Sequence, residues 1–393
     1  MRILYVTTSY PPAIGGATIH LHCLAKAMRS LDNEVSVITH WSSTRTDWLR
    51  GTTVLSGPAK QYEYEGVCVS QLGFPVWRRA AMLPLALSYY LLMEPSIRKI
   101  SNHMLPCFTE AAGAPSLVHA SRIGREFIVR AALDFAHKHN IPFVLTPNHH
   151  PRMRGYLYRE YDKIYREADA VVVLTAAEKA TLLEKGVAEE RIHITGIGPV
   201  LSDRYSAEEF RTKFDLHQRF VLYLGRQHKY KGVNAILRAA PIIWQKHPEV
   251  KFVFVGPRAR DSSSLFRKLR DTRLVNLGPV DLETKTSALA ACEFLCMPSA
   301  QESFGGVYVE AWSLRKAVIG GRIGPIACVI DEGKDGLLSS QNPHELAEAV
   351  SYLFSHSSDC RAMGNAGWQK VQDKYTWDRL AKKTLKVYKE LSE

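Results

Sequence analysis

A chain of 393 residues is longer than one ordinary domain and suits two of about 100–200 residues each. With 46% hydrophobic and 23% charged residues, its composition is that of a soluble globular protein and excludes disorder. The net charge of +12 is spread over both halves: 22 Lys/Arg stand against 17 Asp/Glu in residues 1–200, and 29 against 22 in residues 201–393. No basic tail and no nucleic-acid-binding motif is visible, so the charge points to phosphorylated ligands or an anionic membrane surface, and no nucleic acid partner is expected.

The first residues, MRILYVTTSYPP, contain an apolar run too short for a leader peptide and no small-residue cleavage site. They predict a buried first strand at residues 3–7. Gly15-Gly16 follow it and precede a helical pattern at 19–31. Glycines there let a backbone approach a diphosphate, although a Gly-Gly pair is equally a plain tight turn. Further strands are predicted at 35–39, 117–119, 143–146 and 170–174, with a helix at 126–139. His119 is placed at the carboxyl end of its strand, where it can face a cleft; a structural histidine is the competing reading.

Between these lies Trp77-Arg78-Arg79, then the apolar stretch 80–93 containing Pro84, then Arg98-Lys99. The stretch is shorter than the ~20 residues of a membrane span. Cations beside an apolar helix suit contact with a membrane surface. The other reading is a buried helix with a basic edge. His149-His150 and Arg152-Arg154 follow another strand and read either as acceptor contacts or as a solvated loop.

The strand pattern restarts at 220–225 and continues at 251–256, 274–278, 294–297 and 317–320, with helices at 233–247 and 344–354 between. Short apolar strands alternating with helices define α/β domains with doubly wound, Rossmann-like parallel sheets. Two are expected, 1–200 and 201–375, facing a central cleft. The boundary falls near 196–203, and the last helix, within 376–393, is expected to cross back to the first domain. Ligands of such sheets bind beyond the carboxyl ends of the strands. Gly225-Arg226 and Lys231-Gly232 follow one strand end, where two fixed cations suit a diphosphate. Glu302-Ser303-Phe304-Gly305-Gly306 follow another, and Glu310 lies on the helix after them. Carboxylates accept paired hydrogen bonds from vicinal diols, and glycines at a helix start offer N–H groups.

Seven scattered cysteines in a long chain read as reduced and cytosolic, and Cys292 and Cys296 lack a matching ligand pair for zinc. No D-x-D occurs to hold a metal on a diphosphate, so no metal and no cofactor are expected. The missing G-x-G-x-x-G disfavours a nicotinamide enzyme.

Taken together, SYPPAIGGATIHLHCLAKAM, DAVVVLTAAEKATLLEKGV, YLGRQHKYKGV, FVFVGP, PSAQESFGGVYVEAWSLRKAVI and DEGKDGLL resemble the GT-B glycosyltransferases, specifically retaining family four, over nearly the whole chain. The resemblance implies that Arg226 and Lys231 bind the donor diphosphate, Glu302 contacts the sugar hydroxyls and Glu310 holds the ribose. Ser303, Phe304, Gly305 and Gly306 complete that donor loop; Gly15 and Gly16 lie by the phosphate, His119 near the reacting sugar, and Val280 along the base pocket. It implies hexosyl transfer with retention from a nucleotide sugar to a saccharide or lipid-linked acceptor, as in cell-surface polysaccharide synthesis at the inner face of the membrane. Leu282 stands where GDP-using relatives can carry an acidic residue, which favours UDP, with UDP-glucose as the donor. Gly306 replaces the usual branched aliphatic, and Ala327-Cys328 replace a common Pro-Glu. Competing expectations are a sugar-nucleotide 2-epimerase on the same fold and a non-catalytic sugar-nucleotide-binding subunit.

Overall fold

A strand that is apolar at every position leaves no face for water, and such runs become inner strands of parallel sheets. In the computed structural model, which describes residues 1–12, 16–41, 48–121, 126–149 and 155–393 (and the side chains of all but Trp48 and Leu157), they do so twice. The chain forms two units, Met1–Thr195 with Trp377–Glu393, and Gly196–Thr376.

The first unit holds β1 (Arg2–Thr7), β2 (Glu34–Thr39), β3 (Lys60–Tyr64), β4 (Val67–Gln71), β5 (Leu117–Ser121), β6 (Phe143–Thr146), β7 (Ala170–Val173) and β8 (Ile192–Ile194). Their order is β3-β4-β2-β1-β5-β6-β7-β8, and every ladder is parallel except β3 with β4. That hairpin was not expected from the sequence. Its turn, Glu65-Gly66, has positive φ at both residues (45° and 80°), as a two-residue hairpin loop requires. KQYEY and VCVSQ alternate polar and apolar residues because β3 sits at the sheet edge, so neither gives the all-apolar signal of the inner strands.

The last helix, Trp377–Glu390, buries Leu380, Ala381, Thr384, Val387 and Tyr388, a helical stripe that packs in this first unit. The Tyr388 hydroxyl reaches the Tyr5 hydroxyl at 3.2 Å. His20, His40 and His119 are buried in the same unit. Burial pushes His20 down to about 4 and His40 and His119 down to about 3. The native state therefore refuses protons that the unfolded chain takes up below its ordinary value near 6.5. This contribution is complete above pH 6.5 and is lost as pH falls toward 4–3, on the order of 1–2 kcal/mol per histidine by pH 5. Urea midpoints of this unit should fall between pH 7 and pH 5; an unchanged midpoint would contradict the burial of neutral imidazoles.

The second unit holds β9 (Phe220–Leu224), β10 (Lys251–Val255), β11 (Leu274–Gly278), β12 (Phe294–Met297), β13 (Ala317–Gly321) and β14 (Leu337–Ser339), in the order β11-β10-β9-β12-β13-β14. From β9 the chain winds outward through β10 and β11, then returns to β12 and winds the other way. The reversal lies between β9 and β12, and their carboxyl ends open the crevice where such sheets bind ligands. Both units are thus doubly wound α/β domains.

Candidate functional site

After β9 the backbone turns at Gly225 (φ 149°). A Cβ on Gly256, at the end of β10, would lie 2.2 Å from the Gly225 carbonyl oxygen, so the two strand ends approach closely only because Gly256 has none. The buried Gln227 then bonds three strand ends together. Its Nε2 donates to the Gly256 carbonyl at 2.8 Å and to Asn276 Oδ1 at 3.0 Å, and Asn276 Nδ2 donates back to Gln227 Oε1 at 2.8 Å. The Tyr223 hydroxyl donates to the Arg226 carbonyl at 2.7 Å. Burial and then the Glu302 charge hold that phenol far above its ordinary value, so it remains a donor. The Arg226 backbone is fixed while its side chain is exposed, with no ion pair among the described residues.

The loop after β12 is joined to the loop after β9. Ala300 N–H donates to the Tyr230 carbonyl at 2.8 Å, and Gln341 Nε2 donates to both the Tyr230 and Pro298 carbonyls at 2.9 Å. Gly232 (φ 89°) permits the contact, since a Cβ there would lie 2.5 Å from the Pro298 oxygen. These bonds bring the Lys231 ammonium onto Glu302 Oε1, with 18% and 14% of the two side chains exposed. A second pair lies on the helices: Lys285 Nζ donates to Glu310 Oε1 at 2.9 Å and to the Val200 carbonyl at 2.6 Å. Each carboxylate thus has one oxygen held by a lysine. Partly buried ion pairs recover little net stability after desolvation.

Gly305 and Gly306 look alike in the sequence and differ here. Gly305 caps the helix Gly306–Ser313 at φ 86°, and a Cβ would meet the Tyr308 ring at 2.3 Å. That ring is fixed by its hydroxyl, which donates to the Met297 carbonyl at 2.8 Å. At Gly306 a Cβ would find only Ile197 Cγ2, at an ordinary 3.5 Å, so glycine in place of a branched aliphatic meets no steric demand. Gly305→Ala should cost about 1–3 kcal/mol, and Gly306→Ala should stay within about 0.5 kcal/mol of the parent. Denaturant midpoints of the two variants check this; equal midpoints would remove the distinction.

One expectation is corrected. His119 does not end its strand: β5 runs to Ser121, so His119 lies mid-strand, opposite Tyr5 of β1, and is fully buried. Its Nδ1 meets the Tyr388 hydroxyl and its Nε2 meets Thr146 Oγ1 at 2.7 Å, leaving no ring nitrogen for a sugar. It is a core histidine. Phe304 is 1% exposed and packs edge-on against Tyr375, so its ring anchors the donor loop and only its backbone can face a ligand.

Ser303 is half-buried on that loop, and Val280 is half-buried after β11. Leu282 opens the next helix behind Asp281, which caps it by accepting from Thr284 N–H at 2.7 Å. Gly16 begins its helix exposed, with open space where a Cβ would stand. Gly15 and the acceptor candidates His150, Arg152 and Arg154 lie outside the described residues. His149 is buried, its N–H donating to Glu178 Oε1 at 2.7 Å. Sequence reasoning missed Gln227, Asn276, Gln341 and Lys285. All four act on groups distant in the chain, and no local motif marks them. Among the described residues no group of three His, Cys, Asp or Glu side chains is arranged to hold a metal ion, and no helix is long and apolar enough to cross a membrane.

The fold is that of a doubly wound α/β protein with cations and carboxylates at the switch point of its second sheet. Residues 218–356 match the family described as glycosyl transferases group 1, and residues 15–198 match the glycosyl transferase 4-like domain. The chain belongs to the group 1 glycosyltransferases, with the GT-B fold. It is 25% identical to a glycogen synthase of Mycobacterium tuberculosis over 415 residues, covering 99% of this chain and 94% of that protein. It is 28% identical to a D-inositol 3-phosphate glycosyltransferase of Corynebacterium urealyticum over 249 residues, 58% of each chain. In fold it is similar to sucrose-phosphate synthase from Thermosynechococcus elongatus (TM-score 0.76, 17% identity, 100% of this chain and 99% of that one). It is similar also to Anabaena HepE in complex with UDP-glucose (TM-score 0.74, 16% identity, 99% and 100%).

Proposed function

We propose that this glycosyltransferase moves a hexosyl group from a nucleoside diphosphate sugar, UDP-glucose foremost, to a saccharide acceptor with retention at the anomeric carbon, in the building of cell-surface polysaccharide. The observation that carries the reading is the Lys231–Glu302 pair on the Arg226 loop at the switch point, a cation for phosphate joined to a carboxylate for sugar hydroxyls. Arg226 and Lys231 neutralise the charge that grows on the leaving diphosphate. Glu302 accepts from sugar hydroxyls through the oxygen Lys231 leaves open, and Glu310, held by Lys285, accepts from the ribose diol. A carboxylate already bound to an ammonium is a poor nucleophile, which fits binding roles for both.

The bond from the anomeric carbon to the diphosphate oxygen breaks, and a bond to the acceptor oxygen forms on the same face. The acceptor proton passes to the departing phosphate oxygen. The two cations and the helix N-termini supply the positive charge this needs without a metal. The first domain takes the acceptor. Support for UDP-glucose comes from the apolar Leu282 and from the ligand of the similar Anabaena protein.

A thermal-shift panel of UDP-, GDP- and ADP-sugars tests the donor. The true donor at a hundred times its Kd stabilises by about 2.7 kcal/mol. Absence of a shift with every nucleotide sugar would sink the reading, and a shift with GDP-sugars alone would overturn the base. Product anomers by NMR decide retention.

A further inference from the structure

The helix Val76–Ser88 buries only Met82 and Ala86. This removes the reading of a buried core helix. Val76, Leu83 and Leu87 follow one another at helical spacing on the outer face and are 70%, 45% and 69% exposed. Trp77 beside them is 62% exposed. The chain then presents Tyr90, Leu91 and Leu92, each more than half exposed, before the helix Met93–Ala112 returns to the core through Ile97, Ile100 and Met104. A water-soluble helix normally shows the opposite arrangement, polar outside and apolar inside.

The charges of this segment are mostly positive. Residues 76–99 hold Arg78, Arg79, Arg98 and Lys99 against a single carboxylate, Glu94. Glu94 is already engaged by Lys163 at 2.8 Å and by Arg98 at 3.3 Å. Arg98 and Lys99 are exposed at the far edge, and the Arg78 guanidinium lies 4.6 Å from the Trp77 ring centroid.

We infer that segment 76–99 is a docking face for an anionic lipid surface. Leu83, Leu87 and Leu91 enter the boundary between headgroups and acyl chains. Trp77 and Tyr90 lie at headgroup level, where amphipathic rings are favoured, and Arg98 and Lys99 meet lipid phosphates. A second copy of the chain fits less well, because a two-fold contact through this face would set its cations against themselves. The face belongs to the first domain and does not depend on the donor site, so it adds to the transfer reading an acceptor presented at a membrane.

The test is flotation of the full chain with vesicles of phosphatidylcholine alone and of phosphatidylcholine mixed with phosphatidylglycerol. Binding is expected to the mixed vesicles and to weaken with salt. The triple variant Trp77→Ser, Leu87→Ser, Leu91→Ser should reduce it at least about tenfold. Arg98→Gln with Lys99→Gln should remove most of the salt dependence. No flotation with mixed vesicles, equal flotation with neutral ones, or a dimer in sedimentation that the triple variant dissolves would each overturn the inference. The nucleotide-sugar thermal shift, run on the same preparation, keeps a failure here separate from a failure of the donor reading.

Discussion

Arg226→Ala lowers kcat by about 10²–10³-fold and leaves the second domain folded. The size follows from geometry. Gln227, Asn276 and the Tyr223 hydroxyl hold the backbone on both sides of Arg226, so the strand end that carries its side chain is fixed before any ligand arrives. A cation carried on a fixed strand end has less to reorganise as charge develops than one carried on a mobile loop. The fold survives because the side chain is exposed and makes no ion pair among the described residues. Arg226→Lys should recover only part of the rate, since an ammonium cannot reproduce the two-pronged bonding of a guanidinium. The check is steady-state transfer with a denaturation curve on the same preparation. Near-normal kcat in the alanine variant would remove Arg226 from the chemistry.

Glu302→Gln is the second large effect, with kcat/KM down roughly 10–10²-fold. A carboxylate bonded to sugar hydroxyls contributes about 1.5–3 kcal/mol per charged hydrogen bond, and the amide keeps the shape while losing the charge. The same change frees Lys231 from its partner. The lysine is then wholly available to the diphosphate, so donor KM should move less than kcat. Lys231→Met separates the two roles: it leaves Glu302 mostly buried with no cation and should weaken donor binding and destabilise the loop together. If Glu302→Gln raised KM alone with kcat unchanged, the carboxylate would be binding ground state and transition state equally, and its orienting role would be lost.

Much of this protein can be read along the chain. Runs such as FVLYL and FLCM read as inner strands, and their alternation with helices points to the α/β class. The spacing of Leu380, Ala381, Thr384, Val387 and Tyr388 marks one buried face of the last helix. The quoted segments carry the family, because glycines, cations and carboxylates recur at strand ends in one order. The β3–β4 hairpin escaped notice because an edge strand has the alternation of a surface and no apolar run. The helix Val76–Ser88 stayed ambiguous because an apolar stripe has the same period whether it faces a core or the outside.

What only the tertiary structure decided concerns partners. His119 can be read from the sequence as ending its strand; the structure carries that strand on to Ser121, and Tyr388, 269 residues away in sequence, covers the ring and settles it as core. Gly305 and Gly306 are adjacent and identical, yet only the first has the Tyr308 ring where a Cβ would go. Lys231 meets Glu302 because Gln341, Ala300 and Gly232 clamp two loops that the chain separates by 71 positions. Periodicity and residue type are local properties and survive in the sequence. Burial, steric room and the identity of a charge's neighbour are set by segments brought together from afar, and they exist only once the sheet has closed.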